Sequence, residues 1–306
     1  MNQPECQHLG EPKKRGRKSK KQLEKEMMKE YRLDNIEEAD YLPFTNKKLY
    51  ENMQHLSSAE KQRLEQKFTK PKSGPQRDYY NLLSQRTKKI VVATGPAGTG
   101  KTLFATEMGV KNFLTNNVEK IIFTRPSVTV DEDLGYLPGT LEEKMAPWVR
   151  PIYDILYRFI SPKDVGLLIE EKIIEISPLG FMRGRTFKNC WIIADEMQNS
   201  TVSQMKMLLT RLGENTRLII TGDLDQPDRH DELNGLDDFL DKFKGKRSAS
   251  ITSVEFGNDD IQREEVVKEV LEIYSGDVPA SYHINTNNNN DNDNDNDNDN
   301  EPYTSD

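Results

Sequence analysis

From about Gln76 onward, short apolar runs alternate with longer runs of mixed polarity. The short runs are KIVVAT (89–94), KIIFT (120–124), IIEIS (173–177), CWIIA (190–194), TRLIIT (216–221) and ASITSVEF (249–256). They have the length and β-branched content of strands. Between and after them, residues 102–114, 142–160, 202–212, 235–243 and 259–274 repeat apolar positions at helical spacing. Strands separated by helices predict a doubly wound α/β domain with a mainly parallel sheet. Most of the strand runs lack a two-residue alternation, as expected where helices cover both faces.

Two weaker helical patterns come earlier. In 22–33, Leu23, Met27 and Tyr31 recur every four residues, and 57–68 reads similarly with Ser57 or Ser58 as its N-cap. KPKSGP (70–75) reads as a linker by its proline and glycine content. The expected organisation is a basic tail at 1–30, a short helical segment and linker at 31–75, one α/β domain at 76–275 and a second tail at 276–306.

Composition supports that division. The chain has 306 residues, 34% hydrophobic and 31% charged, so a sizeable core forms only if the polar residues gather elsewhere. They gather at both ends. KKRGRKSKK (13–21) is nearly all basic, whereas the last two dozen residues are acidic and rich in asparagine, and the net charge of −8 hides this segregation. Neither end can bury enough apolar surface to offset chain ordering, so both are expected to be disordered. The basic run has two readings: a solubilising tail, or a sequence-neutral clamp for nucleic-acid phosphates that also resembles a nuclear address. Cys6 lies in a polar tail and Cys190 opens an apolar strand, which argues against a disulfide. No apolar run reaches the ~18 residues of a membrane span, and none near Met1 looks like a secretion signal. The expectation is an intracellular, cytoplasmic protein without a membrane partner, or a nuclear one in a cell that reads the basic run. The four histidines are scattered and form no metal pattern.

The chemistry begins at GPAGTGKT (95–102), between a predicted strand and a predicted helix. It fits the phosphate-loop pattern in its required context. Gly95, Gly98 and Gly100 permit the backbone turns, and the N–H groups of Gly95, Ala97, Gly98, Thr99 and Gly100, in a loop also containing Pro96, can converge on phosphate oxygens. Lys101 is then expected at the β- and γ-phosphates, and the Thr102 hydroxyl on Mg²⁺. The implied ligands are ATP and Mg²⁺.

Such a site needs an acid on the Mg²⁺ side at the end of another strand. CWIIADE supplies Asp195 for the cation and Glu196 beside it to polarise the attacking water. The next strand ends in GDLDQ, whose Gln226 is a candidate γ-phosphate sensor. DEMQ followed by GDLDQ resembles motifs II and III of superfamily-one helicases.

FTRPSV (123–128), DLGYLPGTLEEKMAPWVRPIYDIL (133–156), PLGFMRGRTFKNCWIIADEMQNST (178–201), QMKMLLTRLGENTRLIITGD (204–223) and DDIQREEVVKEVLEIY (259–274) together resemble the PhoH family of RecA-like P-loop ATPases. The resemblance covers about Gln76 to Tyr274. It implies ATP hydrolysis, and more weakly an action on RNA, since some family members carry an added nuclease-like domain that is not visible here. By the same similarity Gln76 takes the place of an adenine-reading glutamine, the alternative being a polar helix start. Arg183 and Arg185 are candidates for γ-phosphate or nucleic-acid contact, or for structural bonds to the backbone. Arg263 is a candidate arginine finger, in cis or from a neighbouring subunit, although Gln262, Glu264 and Glu265 around it equally suit a helix-surface ion pair. Arg125 near the helicase Ia position could meet a nucleic-acid backbone. Trp148 could stack on a base or simply pack.

Two functions follow. One is an Mg²⁺-dependent ATPase coupled to single-stranded RNA or DNA; its single core implies a homo-oligomer with ATP sites at subunit interfaces. The other is a nucleotide-gated interaction module, with slow hydrolysis as a timer and the tails recruiting partners.

Overall fold

The computed structural model describes residues 58–126, 141–226 and 233–264, with residues 266, 267 and 270 beyond them. The expected disordered tails, the helical pattern at 22–33 and the last four residues of the expected helix at 259–274 lie outside the described residues, as do 265, 268 and 269 within it.

Six strands form one sheet: β1 (Ile90–Thr94), β2 (Lys120–Arg125), β3 (Ile174–Pro178), β4 (Cys190–Ala194), β5 (Arg217–Gly222) and β6 (Ile251–Glu255). Their spatial order is β3-β2-β4-β5-β1-β6, and each neighbouring pair is parallel. All six expected strands are present, within a residue or two at their ends. The helices are α1 (Ser58–Lys67), α2 (Gly74–Ser84), α3 (Lys101–Leu114), α4 (Leu141–Leu156), α5 (Pro162–Glu170), α6 (Val202–Leu209) and α7 (Gly235–Phe243).

The continuous apolar strands are explained by the two cores. Val91, Ala93, Ile121, Phe123, Trp191, Ile193 and Ile219 face one way, against buried residues of α1 to α5 such as Leu64, Leu83, Phe104, Leu156 and Leu168. Val92, Ile122, Ile192, Ala194, Leu218 and Ile220 face the other way, against Met205, Leu208 and Leu236 of α6 and α7. This is the doubly wound α/β architecture expected of a RecA-like P-loop core. Sequence patterning missed α5, whose nine residues start with Pro162 after an N-cap at Ser161 accepting the Asp164 N–H at 3.2 Å. The α2 segment, expected at most as a polar helix start, runs for eleven residues from the N-cap Ser73.

Two buried charges fasten the first core. Glu107 on α3 is 2% exposed and accepts from Thr69 N at 2.8 Å, Thr69 Oγ1 at 2.7 Å and Arg158 Nη1 at 2.6 Å. Arg158 also donates to Lys67 O at 2.8 Å, so this network binds the chain just after α1 to the helix that follows the phosphate loop. An isolated buried carboxylate would be expensive; this one is paired and fully hydrogen-bonded. Arg217, at the start of β5, donates to Lys88 O, Leu83 O and Leu82 O at 2.8, 2.5 and 3.1 Å. Burial pulls its guanidinium down to about 10, and the partners at the end of α2 are the carbonyls a helix leaves open.

No helix among the described residues is long and apolar enough to cross a membrane. The chain divides into two units, Met1–Gln262 and Arg263–Asp306, and the sheet with its helices belongs to the first. In the first unit the expected helix beginning at Asp259 is replaced by a short 3-10 turn, Asn258–Asp260, closed by the Gly257 N–H on Asp260 Oδ2 at 2.9 Å. In the second unit Arg263 and Glu264 are exposed, and Val266 and Val270 expose apolar side chains.

One helical glycine is set by packing. A Cβ at Gly109 of α3 would lie 2.7 Å from Trp191 Cδ1 and 2.9 Å from its Nε1. Trp191 is wholly buried and held by its bond to Ala105 O at 3.1 Å, so the ring has nowhere to move. Alanine in a helix gains about 1 kcal/mol over glycine, whereas overpacking a core costs about 1–3 kcal/mol. Gly109→Ala is therefore expected to lower stability, read as a drop in the urea midpoint without a change in slope; a higher midpoint would refute the contact.

Candidate active site

The carboxyl ends of parallel strands in such a sheet open onto its binding crevice. Here a cleft of about 450 Å³ lies there, lined among others by Lys101, Thr102, Arg125, Asp195, Glu196 and Gln226. The sequence motifs therefore meet in one place, although nearly a hundred residues separate Lys101 from Glu196.

The loop after β1 has the expected backbone. Gly95, Gly98 and Gly100 have φ of 129°, 88° and 88°. At Gly95 a side chain is excluded twice, because a Cβ would also fall 2.3 Å from Phe256 O. The loop is held from outside as well as within: Thr99 Oγ1 donates to Pro96 O at 2.9 Å, and the Gln262 N–H donates to Gly98 O at 3.0 Å. Lys101 is the first residue of α3, and its Nζ donates to Gly95 O at 2.6 Å and Pro96 O at 2.8 Å. Burial pushes its ammonium below the usual lysine range; the nearby carboxylates of Asp223, Glu196 and Asp195 oppose this. A desolvated ammonium at a helix start gains from a polyphosphate, which supplies charge and strong acceptors together.

Thr102 and Asp195 are in contact. Thr102 Oγ1 donates to Asp195 Oδ1 at 2.8 Å, and Thr221 Oγ1 donates to the same oxygen. These hard oxygens on one wall of the cleft fit Mg²⁺, which commonly takes one or two protein oxygens and completes its shell with phosphate and water. No group of three or more His, Cys, Asp or Glu among the described residues could hold a metal.

Glu196 follows β4 in the left-handed region, with φ 53° and ψ 41°. A side chain there costs about 1–2 kcal/mol, and such strain persists only where surrounding structure enforces it. The Glu196 carbonyl accepts the Asn199 N–H at 3.1 Å in the turn that follows, and the Glu196 side chain is held by Gln198, which is 3% exposed. Its Nε2 donates to Glu196 Oε2 at 2.6 Å and to Gln226 O at 3.4 Å, and its Oε1 accepts the Asp223 N–H at 3.1 Å.

The remaining candidates are distributed as follows. Gln76 is buried and does not line the cleft; its Nε2 donates to Thr99 O at 3.1 Å and its Oε1 accepts the Lys72 N–H at 2.8 Å. Gln226 is exposed at the cleft rim, its N–H on Asp223 O at 3.3 Å. Arg125 ends β2 and lines the cleft itself. Arg183 is exposed, while Arg185 pairs with Glu175 and lies 4.6 Å from the Phe187 ring centroid. Trp148 is partly buried against the first core. Arg263 is exposed in the second unit. Sequence reasoning missed Gln198, Thr221 and Asp223. Gln198 closes DEMQ, Thr221 ends the β5 run and Asp223 stands in GDLDQ, so all three lie within the motifs that carry Asp195, Glu196 and Gln226.

A family model described as PhoH-like protein matches residues 69–275. A PhoH-like protein of Mycobacterium tuberculosis (strain ATCC 25618 / H37Rv) is 40% identical over 213 residues, covering 68% of this chain and 58% of the relative. Protein PhoH of Escherichia coli (strain K12) is 42% identical over 197 residues, covering 63% of this chain and 55% of the relative. The chain thus spans less than two-thirds of the length of these curated relatives. Among solved structures, the SWI2/SNF2 ATPase core of Sulfolobus solfataricus in complex with dsDNA overlaps at a TM-score of 0.33 and 14% identity, covering 50% of this chain and 32% of that one. That likeness is too slight to carry an argument.

The bonds of Gln76 give a first test. Gln76→Leu leaves Thr99 O and the Lys72 N–H without their partners, and each buried unpaired group costs about 1–3 kcal/mol. Stability is expected to fall by about that amount, with weaker ATP binding because the phosphate loop loses its outer tie. The ratio of ATP to GTP affinity, measured by fluorescence titration, should stay at the parent value; a collapse of that ratio would instead mark Gln76 as a reader of the base.

Proposed function

The chain belongs to the PhoH-like protein family, and from that premise we propose that it hydrolyses ATP to ADP and phosphate with Mg²⁺, in work on single-stranded RNA or DNA. The observation that carries the hydrolytic half is the meeting of the phosphate loop with Asp195 and Glu196 across one cleft.

Each residue has a separable task. The N–H groups from Gly95 to Thr102 cradle the phosphates, with Pro96 and Ala97 shaping the turn. Lys101 exchanges its carbonyl partners for β- and γ-phosphate oxygens. Thr102 and Asp195 would hold the cation, which when bound would neutralise charge on those phosphates. Glu196, oriented by Gln198, takes a proton from the attacking water. Gln226 at the rim hydrogen-bonds the γ-phosphate, and Arg125 adds a second positive charge to the cleft. Arg263 completes the charge stabilisation, from its own chain or from a neighbour in a homo-oligomer.

The nucleic-acid half has different support. DEMQ and GDLDQ follow the pattern of helicase motifs II and III, and the basic run at 13–21 has the composition of a phosphate clamp. The module that only recruits partners differs in one observable: its hydrolysis is indifferent to nucleic acid.

Two outcomes are expected. Lys101→Ala abolishes productive ATP binding, whereas Glu196→Gln binds ATP near the parent affinity and loses on the order of 10²–10⁴ in turnover, the usual scale of general-base work. Steady-state ATPase rates beside equilibrium nucleotide titrations check both; parental turnover by Glu196→Gln would remove it from the mechanism. Separately, single-stranded RNA or DNA should raise the ATPase rate, and the concentration needed should climb steeply between 50 and 200 mM salt, roughly as expected for phosphate contacts. No stimulation by either polymer would leave the interaction module as the reading.

A further inference from the structure

Asp223 lies just past β5 and lines the cleft beside Glu196 and Lys101. It is 6% exposed. Its Oδ1 accepts the Asp225 N–H at 3.2 Å, and its own N–H is held by Gln198 Oε1 at 3.1 Å. Its Oδ2 is buried and, among the described residues, has no hydrogen-bond partner. Buried polar atoms in native proteins are almost always satisfied, so an orphaned carboxylate oxygen in a ligand cleft indicates a donor that comes with the ligand. The Asp223 charge is also the largest of those supporting the buried Lys101 ammonium.

The chemistry of the ligand narrows the donor. Phosphate oxygens of ATP are acceptors and carry negative charge, so they cannot satisfy Oδ2. The attacking water can. It has two O–H donors and must aim a lone pair at the γ-phosphorus, and only anchoring both donors fixes that aim. Glu196 has one oxygen tied to Gln198 Nε2 and the other available to the water. The planar Gln198 carboxamide then sets the spacing of the two acids, with its nitrogen on Glu196 and its oxygen on the Asp223 backbone.

We infer that Asp223 is a further catalytic residue, whose free Oδ2 accepts the second hydrogen bond of the attacking water while Glu196 accepts the first. The inference rests on the proposed ATP hydrolysis. In that step the water oxygen bonds to the γ-phosphorus as the bond to the β–γ bridging oxygen breaks. The electron pair of the broken bond leaves with ADP. Glu196 receives one water proton; the other, held by Asp223, remains on the new phosphate as its hydroxyl. Gln198 is a positioning residue for both acids.

The test is Asp223→Asn. The Asp225 N–H still requires an acceptor at the first position, so the new amide NH₂ takes the second and replaces an acceptor with a donor at unchanged shape. Turnover is expected to fall on the order of 100-fold, the scale of lost general-base assistance. The affinity for a fluorescent ATP analogue should hold or improve, the Mg²⁺ midpoint should not move, and trapping of ADP with aluminium fluoride should weaken. Turnover within threefold of the parent overturns the inference. So does a parallel loss of ATP affinity, which would reduce Asp223 to a counter-charge for Lys101. A shifted Mg²⁺ midpoint overturns it as well, by assigning Oδ2 to a metal-bound water. No turnover by the parent protein would instead remove the proposed function and this inference together. If the asparagine variant does not fold, Asp223→Ala with added formate decides: turnover that rises with formate supports the role, and turnover indifferent to it overturns it.

Discussion

Asp195 Oδ1 accepts two hydroxyl protons at once, from Thr102 at the start of α3 and from Thr221 near the end of β5. The carboxylate itself follows the last residue of β4. Three elements distant in sequence are thus locked at one atom, and the cleft is the space they leave. Hydrogen bonds to a charged group contribute about 1.5–3 kcal/mol each, which is large against typical domain stability. The clamp also answers the burial problem of a strand apolar on both faces that ends in charge: the first acid is satisfied by the fold, and the second is turned into the cleft by the left-handed backbone of Glu196.

The electrostatics of the cleft then constrain its ligand. Three carboxylates, Asp195, Glu196 and Asp223, face two cations, Lys101 and Arg125. A bare polyphosphate would enter against like charge at short range, where the local dielectric is low. A divalent cation carried on the phosphates reverses that balance, and the Thr102–Asp195 pair offers it oxygen donors. In the proposed function the metal offsets these acids, and the phosphates offset the buried Lys101 ammonium.

Much of this was legible in the sequence, and the reasons are physical. The strands were readable because burial on both faces makes them continuously apolar, and the phosphate loop because its backbone needs glycine at fixed spacing. Asp195 and Glu196 were readable because two acids after an apolar run are costly without purpose. The helix α5 was not, since its nine residues give few turns of periodicity. The structure brings Arg125 to the cleft and gives Gln76 protein partners within the phosphate loop, relations set by packing across the sheet that no local pattern encodes. Asp223 was hidden for another reason: its importance lies in one oxygen with no partner, and satisfaction of hydrogen bonds is not a property of sequence.

The distribution of rigid contacts indicates where reaction geometry is determined. The phosphate loop is tied at Thr99 O by Gln76 and at Gly98 O by the Gln262 backbone, so the phosphate-binding wall is fixed from behind. Glu196 follows β4 whereas Asp223 and Gln226 lie on the loop after β5, and the Gln198 side chain bonds to all three. A single amide is a stiff link, because its donor and acceptor are held in one plane at fixed separation. The loop after β5, which carries Gln226, is thereby linked to Glu196. In the proposed mechanism, phosphate sensing by Gln226 and water activation by Glu196 are accordingly joined at one atom, Gln198 Nε2.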